Sequence, residues 1–136
     1  MTRVRRVTLA IALSLLAPLA SAAEPAAGPD ADFAAALGEA EANVKTPEGK
    51  RYDETFGSSF AQKERPVLVK CTKGLGESDL AGFDLVARVS DTGKLETVLV
   101  HPPTKVAECL RKGMATHGYP GPPRAHYWVH VQMTIK

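Results

Sequence analysis

The chain has 136 residues, a formal net charge of +2, 44% hydrophobic and 24% charged residues, and two cysteines. That length holds one small domain with a limited core, and no internal repeat extends it into a solenoid. The slight basicity is carried by the first few residues, so it excludes nothing-but-charge partners such as nucleic acid only after those residues are read.

Arg3, Arg5 and Arg6 precede an apolar run from Val7 to Leu19 and the small residues Ala20-Ser21-Ala22. This pattern predicts a secretory leader over residues 1–22, cleaved after Ala22 or Ala23. A membrane helix is the rival reading, but the run is shorter than the roughly 20 residues a span needs and Pro18 interrupts it. No membrane span is expected after cleavage, and no cysteine would stand at the new N-terminus to carry a lipid. Without residues 1–22 the chain has 14 basic against 15 acidic residues, a net charge of −1, and no nucleic-acid partner is expected.

Residues 23–46 read as a flexible tether and an Ala-rich helix. EPAAGP has nothing to bury. DADFAAALGEAEANV offers Asp30 or Asp32 as an N-cap and only Phe33, Leu37 and Val44 as large apolar groups, so it is expected to be loosely held. Thr46-Pro47-Glu48-Gly49 breaks the pattern. Tyr52, Phe56 and Phe60 then recur every four residues as an aromatic ridge on one helical face, weakened by Gly57, Ser58 and Ser59. Arg65-Pro66 is expected to begin a new element. PVLVKCTKG fits either a strand, from Val67-Leu68-Val69, or a short helix, from Pro66 at its start and Gly74 past its end. GLGES is a loop without the spacing of a phosphate cradle.

FDLVARVS alternates Phe83, Leu85, Ala87 and Val89 against Asp84, Val86, Arg88 and Ser90, which predicts a half-buried strand. Asp91-Thr92-Gly93-Lys94 turns the chain with a bulge, and LETVLVH returns as the second strand. His101-Pro102-Pro103 stops it. Thr104 is placed to cap a helix KVAECLRKGMAT with Val106, Leu110, Gly113 and Met114 as its apolar stripe, and Gly118 is placed for a left-handed helix end. After the rigid connector Pro120 to Pro123, HYWVHVQMTIK predicts a last strand with Tyr127, Val129, Val131, Met133 and Ile135 on one face and Trp128, His130, Gln132 and Thr134 on the other.

The two cysteines, Cys71 and Cys109, form an even count behind a leader, which argues for a disulfide. A redox pair would normally show C-x-x-C, which is absent. His126 and His130 share a strand face but lie roughly 13 Å apart along it, too far to share one ion. His101 can approach across the sheet, and His117 falls at a helix end where the dipole favours an imidazolium; neither a metal nor any other cofactor is expected. Ser58, Ser59 and Ser78 have no sequence cue to an activating base, and Asp53, Glu54, Asp84 and Glu96 read as solvated faces. No enzymatic activity is expected.

The Asp91-Thr92-Gly93-Lys94 turn, the Val106-Ala107-Glu108-Cys109 segment and the Tyr119-Pro120 and Pro122-Pro123 approach to the last strand together resemble the C-terminal domain of TonB-family proteins. The likeness runs from Pro66 to Lys136, and it is strongest to periplasmic relatives in which a cysteine on the helix before the hairpin faces one on the helix after it. The resemblance implies an α+β fold, an antiparallel three-stranded sheet with helices on one face, over residues 47–136. It makes the segment around Cys71 helical and pairs Cys71 with Cys109. The anchor and long Pro/Lys-rich stretch of an energy transducer are missing from the pattern, so a detached periplasmic module is implied. Two functional readings follow. In one, the last strand takes up an extended peptide from an envelope protein, with Trp128, His130 and Gln132 as recognition residues. In the other, a small ligand or hydrolytic substrate occupies a cleft between the Tyr52/Phe56/Phe60 helix and the sheet.

Overall fold

A computed structural model describes residues 28–136. The predicted leader and the start of the tether lie outside the described residues. Over the described residues the fold is α+β, with three helices and one antiparallel sheet of three strands. In chain order the elements are α1 (Pro29–Asn43), α2 (Pro47–Thr72), β1 (Phe83–Val89), β2 (Leu95–His101), α3 (Lys105–Met114) and β3 (Tyr127–Met133). A single 3-10 turn at Glu77–Asp79 interrupts the loop before β1.

The sheet order is β2-β1-β3, so the middle strand pairs with its hairpin partner on one side and with the last strand on the other. Gly93 closes the hairpin at φ +84°, where a Cβ would lie 1.8 Å from the Tyr119 carbonyl oxygen, so the turn requires glycine. The register also shifts between Arg88 and Val89, leaving Glu96 as a bulge residue within β2, apart from the turn at Gly93.

Phe83, Leu85, Ala87 and Val89 of β1 face the main core, together with Tyr127 and Val129 of β3. α2 contributes Tyr52, Phe56 and Phe60 to it, and α3 contributes Val106, Ala107, Leu110 and Met114. Cys71 and Cys109 are joined by a disulfide with Cα atoms 5.7 Å apart, tying the last turn of α2 to the middle of α3. The two helices touch closely nearby: a Cβ on Gly113 would lie 2.5 Å from Val67 Cγ1.

Several local expectations are corrected. α2 is one helix of 26 residues with Pro66 inside it, where a break was predicted. Its inward stripe runs on without interruption through Tyr52, Phe56, Phe60, Glu64, Leu68 and Cys71, and tertiary packing on both sides outweighs the hydrogen bond that proline removes. Thr46-Pro47-Glu48-Gly49 starts this helix as well as ending the previous one: the Thr46 hydroxyl accepts from the Gly49 N–H at 3.0 Å, and Pro47 is the first residue of the helix. α1 begins at Pro29 with Gly28 as N-cap, so Asp30 and Asp32 fall in the first turn, where the helix dipole favours them. α3 ends at Met114, and Gly118 pairs with Lys94 in an isolated bridge without a positive φ.

Over residues 47–136 helices were expected on one face, and α2 and α3 occupy it. α1, from the preceding segment, lies on the other face, over Val86, Leu99 and Trp128. It docks through Phe33, Ala36 and Ala40, which are buried, and through half-buried Leu37. The small residues let the helix lie close to the sheet, so more surface is buried than the three large side chains suggest.

Candidate functional site

Ser90 donates to the Lys94 carbonyl at 2.8 Å, on the β2 side, so by alternation the odd-numbered residues of β1 bond their odd-numbered partners on β3. Trp128, His130 and Gln132 therefore turn their main-chain groups away from the sheet. The Asn43 side-chain amide donates to the Trp128 carbonyl oxygen at 2.9 Å, and Arg124 donates to the Asn43 side-chain oxygen. The α1–α2 junction thus closes the edge at Trp128. Among the described residues none bonds the main chain of His130 or Gln132, and the edge is open there.

Against this open stretch lies a groove of about 660 Å³ between the second half of α2 and the end of β3. Phe60, Leu68 and Val69 form one wall, and Val131, Met133 and Ile135 form the other. Val69 is 64% exposed, a large apolar side chain with nothing packed over it. Nearer the helix start the predicted cleft is filled. Tyr52 meets Tyr127 edge-on at 5.2 Å, Phe56 lies 4.8 Å from Tyr119, and Tyr52 Oη donates to the Pro120 carbonyl at 2.9 Å. Only beyond Phe60 does a cleft remain.

Trp128 lies away from the groove. Its side chain lies on the opposite face, half-buried under α1, with the Arg88 guanidinium 5.6 Å from its ring centre. His130 shares that face and is bonded through Nε2 to Asp84 Oδ1 at 2.8 Å, while Gln132 is exposed. His130 and Gln132 belong to the open edge through their backbone, and the side chains that line the groove are the odd-numbered ones beside them.

Each histidine meets a carboxylate. His101 lies 3.5 Å from Asp30, and His117 lies 2.7 Å from Glu64. His126 lies 2.7 Å from Glu96. Arg88 Nε is 2.8 Å from the same Glu96 oxygen but off the line of a hydrogen bond, so that contact is an ion pair. Asp84 and Glu96 are therefore engaged rather than solvated, and burial on α2 pushes the Asp53 carboxyl up, with His130 working against it. Among the described residues no three His, Cys, Asp or Glu side chains gather at metal-binding distance, and no helix is long and apolar enough to cross a membrane.

No family model, curated protein or solved structure matches this chain. The functional reading therefore stands on the site itself.

The residue the sequence reading missed is Glu64, fully buried at the back of the groove. Lys63-Glu64-Arg65 looks like a solvated charge run, yet the interval of four that links Tyr52, Phe56 and Phe60 lands next on Glu64. That spacing was the signal available.

Proposed function

We propose that this chain is an exported, non-enzymatic binding module of the cell envelope, acting in the periplasm, that captures an extended segment of another envelope protein as a fourth strand beside β3. The observation that carries the reading is the coincidence of the open main-chain groups of His130 and Gln132 with the apolar groove. A strand laid on that edge sets alternate side chains into the groove while its backbone bonds β3. The TonB C-terminal-like pattern from Pro66 to Lys136 supports the same reading, as does the disulfide, which suits an oxidising compartment.

The expected affinity is modest. Two open residues offer four main-chain hydrogen bonds worth about 1 kcal/mol each, and two or three apolar side chains add about 2 kcal/mol each. After the cost of ordering a flexible segment, binding falls at about micromolar or weaker.

The test is an amide NMR titration of the oxidised protein with eight-residue peptides bearing apolar residues at alternate positions. Expected are shifts and slowed hydrogen exchange at His130 and Gln132, and loss of the His130 response in Gln132→Pro, which removes an outward N–H without touching the bonds to β1. Peptides that leave both amides unmoved overturn the reading. A concentration-dependent dimer that protects the same amides overturns it too, and makes a second copy the occupant.

A further inference from the structure

Glu64 is 0% exposed. Its Oε1 is bonded by the Tyr119 hydroxyl and by His117 Nδ1, the latter at 2.7 Å. Burial, followed by the contact with Glu64, pushes the Tyr119 phenol up, so that hydroxyl remains a donor throughout the working pH range. Oε2 is shielded from solvent and has no donor among the described residues. Folded proteins rarely leave a buried carboxylate oxygen unpaired, because it has surrendered its water without replacement. Glu64 is also the one acidic residue that lines the groove.

Resting on the peptide reading above, we propose that Glu64 is a binding residue of that site, whose Oε2 accepts a hydrogen bond from an arginine or lysine side chain of the captured segment. A long side chain with a charged tip suits a mostly apolar groove with an acceptor recessed in its wall. Arg65 and Lys136 also line the groove and oppose a cation there. Both are exposed on flexible stems, where water and salt screen them, whereas Glu64 is fixed in a medium of low dielectric. Glu64, already held on one oxygen by His117, is therefore the acceptor that tells a cationic tip from an apolar one. Tyr119 and His117 both hold Oε1, which leaves Oε2 as the oxygen still to be paired.

The experiment uses the full oxidised chain and eight-residue peptides of alternating apolar pattern, with arginine, norleucine or glutamate placed in turn at each groove-facing position. At one position arginine is expected to bind at least tenfold tighter than norleucine, and glutamate more weakly than either. In Glu64→Gln, which keeps an oxygen for Tyr119, the arginine advantage is expected to fall below twofold while the norleucine peptide still binds. Equal binding of arginine and norleucine peptides to the native chain, or a preference for glutamate, overturns this assignment and leaves the peptide groove standing. Failure of every peptide to move the His130 and Gln132 amides overturns both. Should Glu64→Gln not fold, the native chain decides: the Glu64 carboxyl carbon resonance must move with the arginine peptide and stay with the norleucine one, and the opposite result overturns the proposal.

Discussion

Glu96 shows how one side chain is tuned by its neighbours. It occupies the bulge of β2, where His126, just before β3, bonds it at 2.7 Å and Arg88 of β1 stands 2.8 Å away. His126 reaches it from a left-handed backbone position, φ +55°, which a non-glycine residue adopts at a cost. The His126 hydrogen bond, with the nearby Arg88 charge, holds the Glu96 carboxyl below its ordinary value of 4.5. A carboxylate whose midpoint is lowered by folding stabilises the folded state at neutral pH, and the contribution is lost as pH falls from the ordinary glutamate range through the lower folded midpoint. In a carbon-detected NMR titration Glu96 is expected to titrate below the other exposed glutamates. His126→Ala should return it most of the way, and Arg88→Ala less far. A Glu96 midpoint at the ordinary value in the native chain would contradict the assignment.

At the scale of elements, α2 carries most of the arrangement. Pro66 lies inside it on the exposed side, where its ring removes one hydrogen bond to the Gln62 carbonyl and disfavours a helical Arg65. Pro66→Ala should restore that bond and stabilise the protein, by up to about 3 kcal/mol if the helix needs no other adjustment. Urea unfolding measures it, and a destabilised variant would mean that the bend at Pro66 shapes the groove wall. The strands, the Gly93 turn and the Thr104 cap were legible because each depends on local patterning: period-two alternation, a required positive φ, and a hydroxyl that accepts from the Ala107 N–H at 3.1 Å. The continuity of α2 was not legible, because a proline signals a boundary locally and only packing from both ends overrides it. Nor was the docking of α1, where Ala36 and Ala40 do work that a count of large apolar residues misses. Of the candidate site, the edge strand could be read from alternation, but which edge groups stay open depended on Asn43, 85 residues away from its partner.

Over the whole molecule, the bond between Cys71 and Cys109 closes a loop spanning 38 positions. On the chain-entropy account such a closure stabilises the fold by about 4 kcal/mol, less whatever strain the native geometry holds. Reduction, or paired Cys71→Ser and Cys109→Ser changes, should lower the melting temperature by roughly 15 °C or more for a domain of this size. Equal melting with and without reductant would remove the bridge from the stability of the fold. The strand order carries a different consequence. β1 is flanked by the strand that follows it at once and by one made some forty residues later, after α3. A partly synthesised chain therefore holds a hairpin whose inner ribbon has one bare flank, with every second amide and carbonyl exposed to any passing polypeptide. Completion of the sheet is a late, long-range event, and the hazard of mispairing is greatest just before it.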